Sequence, residues 1–142
     1  MKKFIKDEKA GTAAIVFLIM LILSIVVLVN SISVIEIAYT KWVMTVAYKK
    51  GLDKMQQTGG LTADIEAQIK NYTSKFGPDS TKLTVSGTLA EVSWGSDISL
   101  ALDYDLAYKN YSIVNIVTFN VQTVHTTVHI DGTTSSYYFN NN

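Results

Sequence analysis

His125 and His129, four residues apart in a stretch of Val and Thr, and Asp103 and Asp105, two apart in an alternating segment, are the side chains best equipped for chemistry. On a helix, a His-x-x-x-His pair would point at one metal ion. The surrounding period of two places these histidines on a strand instead, on one face and about 13 Å apart, too far to share an ion. Surface or cross-strand packing is the better reading of the pair. The two aspartates share a strand face and form at most a weak cation site; a solvated face that discourages aggregation accounts for them better.

The wider search for chemistry finds little. The sequence has no nucleophile elbow, P-loop, glycine-rich dinucleotide turn or zinc-protease motif, so neither an enzyme nor a cofactor site is expected. It contains no Cys, which removes disulfides and thiolate metal sites. It contains no Arg, which removes the bidentate phosphate fork and argues against nucleic acid as a partner. Asn71-Tyr72-Thr73 and Asn110-Tyr111-Ser112 match the glycosylation sequon, a pattern short enough to arise by chance. The eight tyrosines are expected in the core and in subunit contacts.

What the chain does carry is a long apolar run. Residues 11–35 are uncharged, and from Ala13 to Val29 only Ser24 interrupts the hydrophobic side chains. At about 1.5 Å per residue the run is long enough to cross a bilayer core, so a lipid bilayer is the first expected partner. Lys2, Lys3, Lys6 and Lys9 precede it and favour a cytoplasmic N-terminus, although Lys41, Lys49, Lys50 and Lys54 follow closely on the other side. That orientation puts the remainder outside the cytoplasm, as a single-pass membrane protein with an extracytoplasmic C-terminal head. The first 60 residues hold eight bases against four acids and the remaining 82 the reverse, so the membrane end is basic and the far end acidic.

The expected fold class is α+β: a long N-terminal membrane-spanning helix, a second short helix and a small antiparallel β-sheet head. Its segments are a basic leader (1–11), a transmembrane helix with an amphipathic extension (12–58) and the head (61–142). Ile35, Tyr39, Trp42, Val43 and Val46 recur at spacings of three and four, so the helix continues past the apolar run and ends at Gly59-Gly60, spanning roughly 70 Å from Thr12 to Gln57. Tyr39 and Trp42 suit either an interfacial aromatic belt or packing on the head, the belt being the plainer reading. A second helix is expected from Thr62, as N-cap, to Phe76, with Ile65, Ile69, Tyr72 and Phe76 on one stripe and Gly77-Pro78 as its stop.

Beyond Leu83 the period becomes two. Ile98, Leu100, Leu102, Tyr104, Leu106 and Tyr108 alternate with small or polar residues and predict a half-buried strand, joined to a strand over about 82–93 through Trp94-Gly95-Ser96. Val117, Phe119 and Val121 hold one phase and Val124, Val128 and Ile130 the other, which predicts a bulge or break near Gln122 and Thr123. Asp131-Gly132 reads as a tight turn into a last strand from Thr133 to Phe139, with Asn140 to Asn142 frayed.

A short basic leader ending Lys9-Ala10-Gly11, an apolar helix opening Thr12-Ala13-Ala14-Ile15-Val16-Phe17, an amphipathic extension and a β-rich head resemble type IV pilins and pseudopilins, and in particular the TadE-like minor pilins of tight-adherence systems. That resemblance implies cleavage by a prepilin peptidase between Gly11 and Thr12, and assembly into a filament by self-association or with other pilin-like subunits. The assembly ATPase and platform protein would be separate. It makes Ala13, Ala14, Phe17 and Glu36 the candidate assembly contacts. Such pilins usually carry Glu at the fifth mature position, where this chain has Val16. Glu36 has two open readings: a carboxylate that needs a cationic partner in a filament core, or one solvated among headgroups. The expected function is a structural subunit, minor or major, of a type IV or Tad-like pilus or a related secretion or conjugation filament on the cell surface. The alternative is an uncleaved single-pass anchored binding module.

Overall fold

The structure, a computed structural model, describes residues 2–89, 91–115 and 118–138, with side chains from Gly11 onward except that of Asn115. The expected leader lysines, Val117 and Phe139 to Asn142 therefore lie wholly or in their side chains outside the described residues. The architecture is α+β, as expected: helix α1 (Lys2–Thr58), helix α2 (Ala63–Lys75), a 3-10 turn (Ser80–Lys82) and strands β1 (Leu83–Gly87), β2 (Asp97–Asn115) and β3 (Thr118–Ser135) in one antiparallel sheet of order β1-β2-β3. By contacts the chain divides into two units. One holds the described residues up to Ile35 together with Tyr108–Val124, the other Glu36–Ala107 with the residues from His125 on.

The second unit contains the core. Ile98, Leu100, Leu102, Tyr104 and Leu106 alternate along β2 and are all buried, which puts one face of the sheet against the helices. Met44, Ala47 and Met55 of α1, Ile65 and Ile69 of α2, Leu61, Leu83 and Val128 complete the cluster. The register of β1 on β2 runs from Leu83 opposite Tyr104 to Gly87 opposite Leu100.

Helix ends follow the local chemistry. Gly59 takes a left-handed φ of 76° and its N–H donates to the Met55 carbonyl at 2.8 Å, stopping α1 where the paired glycines predict. Thr62 caps α2 by accepting the Ile65 N–H at 3.3 Å, and Gly77, at φ 103°, follows its end. Asp79 caps the 3-10 turn, and the N–H and hydroxyl of Thr81, both donating to its carboxylate, hold it below the usual carboxylate range.

Three expectations need correction. The buried stripe of α1 in this unit is Thr40, Val43, Met44, Ala47, Gly51 and Met55, while Tyr39 and Trp42 are exposed. Of the face expected from spacing, Ile35, Tyr39, Trp42, Val43 and Val46, only Val43 is fully buried, and the small Gly51 is what lets α2 and β2 come close. β1 is shorter than the 82–93 expected: it ends at Gly87, and Thr88, whose N–H donates to the Ser99 carbonyl at 2.9 Å, is the last residue bonded to β2. Thr88 accepts the Leu61 N–H and Val92 donates to the Gly59 carbonyl, so this stretch pairs with the turn after α1.

Of the bulge or break expected near Gln122 and Thr123, the structure has no break: β3 is continuous from Thr118 to Ser135. It also passes through Asp131-Gly132, so there is no turn there; the Tyr48 hydroxyl occupies the place a Cβ on residue 132 would fill, and Gly132 serves that close approach.

Candidate functional site: the apolar helix surface and the sheet's outer pairs

The first unit presents the candidate assembly surface. Gly11, Thr12, Ala13 and Ala14 are exposed in mid-helix, with open space where a Gly11 side chain would be. Phe17 is 69% exposed, and the run from Ile15 to Ile35 keeps Leu18, Met20, Leu23, Ile25, Val27, Leu28 and Ile32 exposed as well. Moving one such side chain fully out of water gains about 1.5–3 kcal/mol. Half of that, taken over the run, already matches the ~5–15 kcal/mol by which a whole domain is stable. This surface demands an apolar partner, and the helix is long and apolar enough to cross a membrane.

The polar side chains inside the run are satisfied locally. Ser24 donates to the Met20 carbonyl and Ser31 to the Val27 carbonyl, both at 2.8 Å, so neither presents an orphan hydroxyl to lipid or to a neighbouring helix. Asn30 does more. Its Nδ2 donates to the Tyr111 carbonyl at 2.8 Å, and its Oδ1 accepts the Tyr111 N–H at 2.9 Å. Ser33 donates to the Lys109 carbonyl at 2.8 Å. An amide that gives and takes in this way imitates a partner strand on the open edge of β2. Nothing in the residue pattern signals it: Asn30 and Ser33 look like ordinary polar residues at the close of an apolar run.

In the second unit Glu36 is exposed and forms no hydrogen bond or ion pair among the described residues. The Tyr39 hydroxyl donates to the Phe76 carbonyl at 2.9 Å, which ties it to the end of α2, and its ring lies 6.1 Å from that of Trp42.

The histidines and aspartates meet across strands, as expected of packing on a wet face. His129 Nδ1 lies 2.5 Å from Asp103 and its Nε2 3.4 Å from Asp131, while His125 Nδ1 lies 3.4 Å from Asp105. The hydrogen bond to Asp103 raises the His129 pKa above its ordinary value, and the charges of Asp103 and Asp131 add to the effect. Among the described residues no three His, Cys, Asp or Glu side chains converge on a point that could hold a metal ion.

A groove of about 500 Å³ lies between α1 and α2. Lys50, Asp53, Lys54, Tyr72 and Lys75 line it; Lys50 stands 4.0 Å over the Tyr72 ring and Lys54 donates to Gln68. The chain matches no family model, no curated protein and no solved structure.

Proposed function

We propose that this protein is a structural subunit, of the minor or major pilin-like kind, in a type IV or Tad-like pilus or a related secretion or conjugation filament. The observation that carries the reading is the bare apolar surface of α1 from Ile15 to Ile35, which needs lipid before assembly and neighbouring helices after it. Gly11 and Thr12 are exposed, so a prepilin peptidase would reach the bond between them, and the mature chain would begin with the small Thr12-Ala13-Ala14 that permits close helix packing. Phe17 and Glu36, both exposed, are then free for contacts with other subunits. The head would face solvent in the filament.

A second reading is a permanently anchored single-pass protein whose head binds a partner outside the cell. It is favoured by α1 running unbroken through Gly11 and Thr12, and by Val16 at the place where pilins usually carry Glu.

The intact mass and N-terminal residue of the protein made in its native host separate the two. A chain beginning at Thr12 with a methylated amine is the result expected for a pilin; one beginning at Met1 supports the permanent anchor.

A further inference from the structure

The apolar run of α1 is covered on one side. Ile22, Val26, Val29, Asn30 and Ser33 are partly or fully buried while the residues between them stay exposed, and their spacing places them on a single stripe. Two of them hold β2 by its backbone, Ser33 at Lys109 and Asn30 at Tyr111. Since the higher-numbered β2 residue meets the lower-numbered helix residue, β2 advances along α1 toward Ile22. The four residues of β2 beyond Tyr111 reach about 13 Å further, the length of roughly nine helical residues, and Ile22 lies eight before Asn30.

The part of the apolar run free on every side is therefore 11–21, only about 16 Å, against a bilayer core of about 30 Å. The strands beside the remainder are ill-suited to hydrocarbon. Asn110, Ser112, Asn120, Gln122 and Thr123 are exposed on them, and β3 is an outer strand of the sheet. Part of the polar bonding stays within the helix when they leave: the Asn30 amide also donates to the Val26 carbonyl at 3.1 Å, and Ser33 has the carbonyl four residues back within its reach, as Ser24 and Ser31 show.

We propose that β2 from Tyr108 to Asn115 and β3 from Thr118 to Val124 form a displaceable strap: docked on the Ile22–Ser33 stripe when the helix is out of lipid, and released when the helix inserts fully. Docking and full insertion compete for the same side chains. This inference rests on the membrane-anchoring part of the proposed function and not on filament assembly.

The chain has no cysteine, so introduced pairs are unambiguous. The full-length variant Asn30→Cys/Tyr111→Cys reports the strap. Thr84→Cys/Asp103→Cys, whose residues face each other on β1 and β2, reports the folded sheet. Each is synthesised cell-free with and without phosphatidylcholine/phosphatidylglycerol vesicles, oxidised, and read as intramolecular disulfide by gel mobility. The expected ratio of strap to sheet cross-linking is near one without lipid and falls by about tenfold or more with vesicles, as a change from mostly docked to mostly released demands. A ratio unchanged by vesicles, or a strap pair that forms under neither condition, overturns the proposal.

Should the cysteine pairs disturb folding, Asn120→Cys decides alone. In the inserted chain a membrane-impermeant maleimide labels it as fast as in the denatured chain; protection, which strands held at bilayer depth would give, overturns the strap. Alkaline carbonate washing separates the failures. A chain washed off the vesicles overturns the anchoring and the strap together, and a chain retained with an unchanged ratio overturns the strap alone.

Discussion

Gly51 sits where α1, α2 and β2 come closest, and replacing it with Ala sets two known effects against each other. Helix propensity favours Ala over Gly by about 0.8–1.0 kcal/mol in a helix interior. The added Cβ would lie 2.6 Å from Ile69 Cδ1, 3.0 Å from Ile69 Cγ1 and 3.2 Å from Leu100 Cδ2. Both neighbours are core residues, Ile69 at 3% and Leu100 at 1% exposure. Overpacking of this kind costs about 1–3 kcal/mol, so the packing loss outweighs the propensity gain.

Gly51→Ala is therefore expected to lower stability by a net ~1 kcal/mol, or about 4–8 °C in the midpoint for a small domain. Thermal and urea unfolding of the full chain in non-ionic micelles, followed by near-ultraviolet circular dichroism, reads the change. Ile69→Val, which removes the nearest atom, costs about 0.5–1.5 kcal/mol alone. Combined with Gly51→Ala it should cost less than the two losses added, by about 0.5 kcal/mol or more. A Gly51→Ala variant that gains stability, with a strictly additive double variant, would refute the reasoning.

Three further outcomes are expected. Gly132→Ala places a methyl on the Tyr48 hydroxyl and should cost about 1–3 kcal/mol in the same unfolding assay, with Tyr48→Phe recovering part of the loss by removing the oxygen. Because the His129 pKa is raised in the folded state, its pairing with Asp103 stabilises fully below pH 6.5 and is lost as pH rises above that value through the folded pKa; urea midpoints should fall over this range, and His129→Gln should flatten the slope. Thr62→Ala removes the α2 cap and should cost about 0.5–1 kcal/mol, the low end of cap losses because its hydrogen bond is long at 3.3 Å, with the unfolding midpoint as the readout.

Much of the fold was legible because its signals are local. The Gly59-Gly60 stop, the Thr62 cap, the Gly77-Pro78 end and the period-two run from Ile98 to Leu106 each declare themselves within a few residues, and the structure has all of them. The misread elements depend on what lies opposite. Asp131-Gly132 is a good turn dipeptide in isolation, and only the Tyr48 side chain packed against it shows why a strand carries a glycine there. The buried α1 stripe was missed for the same reason: Gly51 scores weakly as a hydrophobic residue, yet the close approach of α2 and β2 requires a small one there. For the candidate assembly surface the sequence placed the residues and their exposure, but not the hold of Asn30 and Ser33 on β2.

That hold follows from an accounting of β2's backbone. β1 has only five residues and leaves β2 beyond Tyr104 without a strand partner on that side. An open edge of this length would be a template for pairing with another chain. Asn30 closes it at Tyr111, matching both the N–H and the C=O with one side chain, and Ser33 takes the Lys109 carbonyl. Asp at position 30 could accept but not donate, and Ser could not span both groups, so among small polar residues Asn alone satisfies the pair. The same amide is the most polar group in the middle of the apolar run's distal half, where lipid would select against it. A residue that lipid disfavours, and that one strand edge uses at both ends of its amide, is best explained by that edge.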